Sequence, residues 1–87
     1  MSVLAIDQGT TSTRALCVHD DGSTQITHVV RHRQLYPQAG WVEHDANELI
    51  ASIEACIDAS PAVSAIGIDN QGESCLAWHA DSKQPLT

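Results

Sequence analysis

Within "DQGTTSTR", Asp7 to Arg14, the chain places a carboxylate, a glycine, adjacent hydroxyl side chains and an arginine. Gly9 lets the backbone come close to a ligand and take a positive φ. Consecutive amides in a tight turn can converge on an anion. Thr10, Thr11 and Ser12 add hydroxyl donors, and Arg14 adds a permanent charge whose planar fork suits phosphate oxygens. Asp7 would repel bare phosphate. It becomes useful if Mg²⁺ lies between, because Mg²⁺ is held by one or two carboxylates, water and substrate phosphates. The group is coherent as a seat for a Mg-nucleotide. It is also an ordinary composition for a solvent-exposed turn, and spacing alone does not decide between the two.

Other reactive side chains are scattered. Cys17, Cys56 and Cys75 lie far apart with no CxxC pair, so they read as reduced structural thiols. His28 and His32 would share a helical face, but their surroundings read as strand, which argues against zinc.

The elements that must position the candidate bend are set by pattern. "SVLAID" reads as a buried first strand and "RALCVHD" as a second. "DDGS" at Asp20–Ser23 is an Asp-Gly turn, and "TQITHVVRHRQ" continues as a third strand. Tight turns make these an antiparallel meander. Pro37 and Gly40 turn Tyr36 to His44 into a loop. Asp45 is the expected N-cap of a helix, with Glu48 completing a capping-box-like pair. Leu49, Ile50, Ile53, Cys56 and Ile57 form its apolar stripe, and Ser60 and Pro61 stop it. "AVSAIGI" is a fourth strand that can return parallel to an earlier one. "DNQGES" is a loop, "CLAWHA" a weaker strand, and "DSKQPLT" a polar tail. The remainder lacks a helix to cover the other face of the sheet, so the chain reads as a fragment.

Composition bounds the alternatives. At 87 residues and 43% apolar, the chain forms one domain at most. Eleven acids against four bases give a net charge of −7. That argues against a broad nucleic-acid surface, which needs clustered Lys and Arg, though not against a small phosphate ligand. The longest apolar runs fall far short of the roughly 20 residues of a membrane span, and no signal peptide is evident. A soluble cytoplasmic protein is expected.

"AIDQGTTSTRAL", "YPQAGWVEHD" and "AIGIDNQGES" occur in this order and together resemble the N-terminus of the FGGY carbohydrate kinases, above all the glycerol kinases. The resemblance covers nearly the whole sequence. It implies an α/β fold of ribonuclease H-like type (the actin/hexokinase-type ATPase domain), present in part. Residues 1–87 would be the N-terminal part of the first kinase domain, with the second domain absent and ATP and substrate meeting between the two. By resemblance, Asp7 corresponds to the metal-associated aspartate. Gly9, Thr10, Thr11, Ser12 and Arg14 correspond to the nucleotide-phosphate site, and Glu73 to the glutamate that binds substrate hydroxyls. The resemblance places the catalytic base beyond Thr87.

One departure matters. Where glycerol kinases carry "NQRE" this chain reads "NQGE", so Gly72 replaces a substrate-contacting arginine. The expected activity is therefore ATP- and Mg²⁺-dependent phosphorylation of a polyol or sugar other than glycerol. A larger polyol or ketose could use the vacated volume. The alternatives are a glycerol kinase proper, or a stand-alone, non-catalytic module that keeps the phosphate loop. Asp69 replaces the family's usual small hydroxyl residue and reads as a strand-end acid in a polar loop. Trp41 is expected either to wall the substrate pocket or, the favoured reading, to anchor its loop on the sheet. His44 and Glu43 are expected to tether that loop. The expected partner is a small-molecule polyol or sugar, with no nucleic acid and no membrane. Homo-oligomerisation of the full-length protein is left open. The isolated residues are expected to be inactive.

Overall fold

A computed structural model of the chain describes residues 2–86. Its elements are β1 (Val3–Gln8), β2 (Ser12–Val18), β3 (Thr24–Arg31), α1 (Ala46–Asp58) and β4 (Ala65–Asp69). They form one sheet in the order β3-β2-β1-β4, with β1–β2 and β2–β3 antiparallel and β4 parallel to β1. The expected meander, helix and parallel return are all present. α1 makes the return possible, because parallel neighbours need a crossover connection.

The strands alternate in burial with the pleat. Leu4 and Ile6 of β1 and Ala15 of β2 form one face, against which Cys56 and Ile53 of α1 pack, with Val30 and Val63 at the margins. Full burial of a leucine or isoleucine side chain contributes about 1.5–3 kcal/mol, so Leu4 and Ile6 anchor this small core. A bulge between Ala15 and Leu16 leaves Thr27 of β3 without a cross-strand partner. Its hydroxyl lies 2.8 Å from Ser60 Oγ, which also donates to Cys56 O at 2.7 Å. The irregularity thus fastens the C-terminal end of α1 to the sheet.

Several local expectations need correction. Asp45 does cap α1, accepting from Asn47 N at 2.9 Å. The carboxylate of Glu48, however, binds Arg33 through its N–H at 2.8 Å and its Nε at 3.1 Å, so no reciprocal capping box is seen. A charge-assisted pair of bonds to another element outweighs the local one. That diversion also ends β3 at Arg31 rather than Gln34. The apolar stripe of α1 is narrower than expected: Ile50 is 55% and Ile57 37% exposed, while Ser52 is buried and donates to Glu48 O. The Asp20–Ser23 turn is wider than a two-residue hairpin. His19 and Ser23 close it, with Gly22 at φ 85 and the Asp21 carboxylate capping Ser23 N and Oγ.

"CLAWHA" is not a strand of the sheet. Trp78 makes only an isolated bridge to Pro85, and the segment folds against Gln84 and Leu86 through Leu86 N→Ala77 O and His79 N→Gln84 O. The expected polar tail is thus its partner, and Pro85 has no N–H to extend the pairing.

Candidate functional site

The tip of β1 and the start of β2 form the bend Gly9–Thr11, closed by Gly9 N→Ser12 O at 2.9 Å. Gly9 is not in the positive-φ region, contrary to expectation. A Cβ there would sit 3.4 Å from Ser12 O, an ordinary van der Waals contact, so the bend does not demand glycine on steric grounds. The bend's carbonyls are held by the protein. Gly9 O accepts from Gln8 Nε2 at 2.8 Å and Gln71 Nε2 at 3.4 Å. Thr10 O accepts from His44 Nε2 at 2.7 Å and Gln34 Nε2 at 3.4 Å, and Thr11 O accepts from His32 N at 3.2 Å. The amides of Thr10 and Thr11, by contrast, have no acceptor among the described residues. A bend with occupied carbonyls and unoccupied amides is a donor-rich surface suited to an anion.

His32 secures this arrangement from beneath. It is buried, with Nε2 3.4 Å from Gln8 Nε2. With Gln8 Nε2 as donor, His32 Nε2 would accept and the ring proton would fall on Nδ1, which is buried with no partner among the described residues. Its ring meets His44 edge-on at 5.2 Å between centroids. The histidines therefore serve the bend. Among the described residues no cluster of three or more His, Cys, Asp or Glu side chains is placed to hold a metal ion.

On the sheet face opposite α1, β1 pairs Asp7 with Arg14 on one side and with Asp69 of β4 on the other. Arg14 Nη2 lies 3.5 Å from Asp7 Oδ2, with both side chains half exposed. Asp69 is pushed above the ordinary aspartate range, first by sharing a hydrogen bond with the Asp7 carboxyl and then by its negative charge. These groups edge a shallow depression of about 560 Å³ floored by Ala5, Leu16 and Ile26. Two neighbouring carboxyl groups beside a bend with unpaired amides are oxygen donors of the kind a hard divalent cation, completed by water and phosphate oxygens, would use. Asp69 is a strand-end acid, as expected, and it lines the same depression as Asp7 and Arg14.

Thr10 and Glu73 line a different cleft of about 670 Å³, between the α1 side of the sheet and the segment after β4. Gln71, His44, Val42 and Leu76 share its walls. Gly72 lies beside Glu73 with nothing within 4 Å of where a Cβ would be. The structure therefore distributes the expected residues over two depressions that meet at the β1 tip. Thr11 is exposed and Ser12 half-buried on the bend itself. Trp41 is 53% exposed and lines neither depression, so it does not anchor its loop by burial. The loop is held instead by the Leu35–Glu43 backbone bridge and by His44. Gln71, Gln34 and His32 were not singled out from sequence as bend-holding residues. The only available signal was their polarity between apolar segments.

Sheet order, crossover helix and phosphate-type bend together define the ribonuclease H-like fold of the actin and hexokinase type, in part. The xylulose kinase of Lactobacillus acidophilus superposes with a TM-score of 0.86 over 99% of this chain and 18% of that one, at 19% identity. The glycerol kinase of Plasmodium falciparum, solved with ADP, superposes at 0.75 over 99% of this chain and 19% of that one, at 30% identity. Residues 2–87 match the N-terminal domain of the FGGY family of carbohydrate kinases, and the chain belongs to that family. It is 42% identical to a glycerol kinase of Haloferax volcanii over 94% of this chain and 18% of that protein. The chain thus spans about a fifth of the length of such relatives. No helix among the described residues is long and apolar enough to cross a membrane.

Proposed function

We propose that residues 1–87 form the N-terminal part of the first domain of an ATP-dependent kinase that phosphorylates a hydroxyl of a polyol or sugar. The observation that carries this reading is the Gly9–Thr11 bend. Its carbonyls are held by the protein while the Thr10 and Thr11 amides remain unpaired, in a chain of the FGGY family. In this reading the bend amides and the Thr11 and Ser12 hydroxyls bind the terminal phosphates of ATP, and Arg14 offsets their charge. Asp7, with Asp69, would hold Mg²⁺, which when bound neutralises phosphate oxygens. Glu73 accepts hydrogen bonds from the acceptor's hydroxyls and so orients it. The catalytic base is expected outside these residues. Such chemistry belongs in the cytoplasm, where ATP is available.

For the acceptor, the glycine at position 72, where the resemblance has a substrate-contacting arginine, favours a polyol or ketose larger than glycerol. A second reading, glycerol itself, is favoured by the identity to glycerol kinases. The deciding experiment supplies the full-length protein, of which these residues would be the N-terminal part, with ATP, Mg²⁺ and a panel of glycerol, longer polyols and ketoses, and measures ADP release. Acceptor-dependent ADP supports the kinase, and none with any acceptor overturns it in favour of a non-catalytic module. A clear preference for glycerol over longer polyols refutes the acceptor refinement alone.

A further inference from the structure

Gln71 is the residue through which the phosphate-binding bend touches the loop that carries Glu73. Its amide is bidentate. Oε1 accepts from Thr10 Oγ1 at 3.1 Å, and Nε2 donates to Gly9 O at 3.4 Å. The orientation is fixed by chemistry, because a flipped amide would set Oε1 against the Gly9 carbonyl, acceptor against acceptor. The same residue anchors its own loop, since Gln71 O accepts from Ser74 N at 3.1 Å across Gly72 and Glu73. One side chain and one carbonyl therefore link the bend, Gln71 and the turn presenting Glu73 in a continuous series.

We propose that Gln71 is a positioning residue that fixes the separation between the phosphate-holding bend and the acceptor-holding turn. This rests on the kinase reading above. In-line transfer requires the acceptor oxygen and the terminal phosphorus to be held at one distance and angle. Each partner can bind well while their relative placement is wrong. The two depressions open on different sides of the β1 tip, so their mutual geometry depends on contacts across that tip. Two features make Gln71 such a contact rather than a general stabiliser. Its partners lie on the exposed bend rather than in the core, and it bridges two loops instead of packing an element.

The hydrogen bond also constrains Thr10. With its hydroxyl proton given to Gln71, Thr10 has only lone pairs left to offer, and phosphate oxygens need donors. Phosphate contact at this residue therefore falls to its backbone amide. Thr10 serves the site through that amide and through its grip on Gln71.

The test has two arms, both on the full-length protein rather than on residues 1–87 alone. In the kinetic arm, Gln71→Ala lowers kcat about tenfold or more, while KM for ATP and KM for the acceptor each stay within about threefold of wild type. Thr10→Val removes the same hydrogen bond, so the double variant loses less than the product of the single effects. In the second arm, amide hydrogen exchange at Gly9 and Ser74 speeds up about fivefold in Gln71→Ala, while Ile6 inside β1 is unchanged. An unchanged kcat, or a loss carried entirely by one KM, overturns the proposal. Unchanged exchange at both Gly9 and Ser74 overturns it too, whether or not the wild type phosphorylates anything. Wild type inert toward every acceptor sinks the kinase reading instead, and the exchange arm alone then decides whether the linkage exists.

Discussion

Placing an arginine at position 72 tests what the glycine there does for the proposed choice of acceptor. Gly72 is exposed, has an ordinary backbone conformation, and leaves the first 4 Å around a Cβ empty. A Cβ at position 72 therefore meets no steric obstacle. It also removes glycine's excess freedom from the unfolded chain, an effect worth about 0.4–1 kcal/mol in favour of folding where the geometry is compatible. A hydrogen bond to a charged donor contributes about 1.5–3 kcal/mol. At so open a position the lower end applies, because solvent competes for the guanidinium. About 1.5 kcal/mol corresponds to roughly tenfold in affinity. The expected outcome is a glycerol KM about tenfold lower in Gly72→Arg, with weaker use of longer polyols as the new side chain fills their space. Gly72→Ala is the control that adds volume without a donor, and it should leave glycerol use unchanged. Steady-state kinetics on the full-length protein with glycerol and a five- or six-carbon polyol (about those sizes suffice) reads both effects. If Gly72→Arg leaves the glycerol KM where it was, or if Gly72→Ala produces the same gain, the argument from the missing charge is wrong.

Three further outcomes rest on the charged pairs and thiols. Because Asp69 is raised by its hydrogen bond with Asp7 and by that neighbour's charge, it opposes folding above the ordinary aspartate value of 3.8. Asp69→Asn should raise the melting temperature at neutral pH in EDTA, with no gain below pH 3.8, and Mg²⁺ should stabilise wild type more than the variant. Equal Mg²⁺ stabilisation of both would remove Asp69 from the cation site. Glu48 is held below its ordinary 4.5, first by the Arg33 N–H and then by its guanidinium, so its contribution is complete above that pH and lost as pH falls through the lowered value. Melting curves should show the advantage of wild type over Glu48→Gln shrinking below pH 4.5, and an advantage that persists into stronger acid contradicts the assignment. Cys75 is exposed while Cys17 and Cys56 are buried, and burial also raises the Cys56 thiol. Among these cysteines, mass spectrometry after brief alkylation of native protein should find only Cys75 modified, and early labelling of Cys56 would mean that the α1–sheet contact opens readily.

How much of this was legible beforehand depends on the range of the interaction. The meander, α1 and the parallel β4 were readable because period-two alternation, an Asp-Gly turn and an Asp45 cap are local signals. Features set by distant partners were not. The Glu48 spacing suggested a capping box, yet Arg33, fifteen positions away, takes its carboxylate. Ile50 and Ile57 share the helical period of Ile53, but only Ile53 faces the buried strands. "CLAWHA" has strand composition, but no free ladder of the sheet receives it. Trp41 has the size to anchor a loop, yet a backbone bridge does that work and leaves the ring exposed. Asp69 shows the loss most clearly. Its place in the site depends only on the register that sets β4 beside β1, pairing Asp7 with Asp69.

That register also constrains how the site can work. Alternation along β1 sends Asp7 to the face opposite α1 and Gln8 to the packed face, so consecutive residues serve different depressions. The charge-handling groups, Asp7, Arg14 and Asp69, stand over an apolar floor, where a like-charged pair is costly and a bound cation correspondingly favoured. Glu73, by contrast, borders the cleft on the α1 side, beside Thr10. The bend lies at the crossing between them. Its carbonyls are taken by Gln8, Gln34, His44 and Gln71, while its Thr10 and Thr11 amides meet no acceptor among the described residues. Three of these four side chains come from beyond β2, so the loops before α1 and after β4 hold the bend in place. A chain that kept "DQGTTSTR" but lost those loops would keep the motif and lose the side chains that fix its carbonyls.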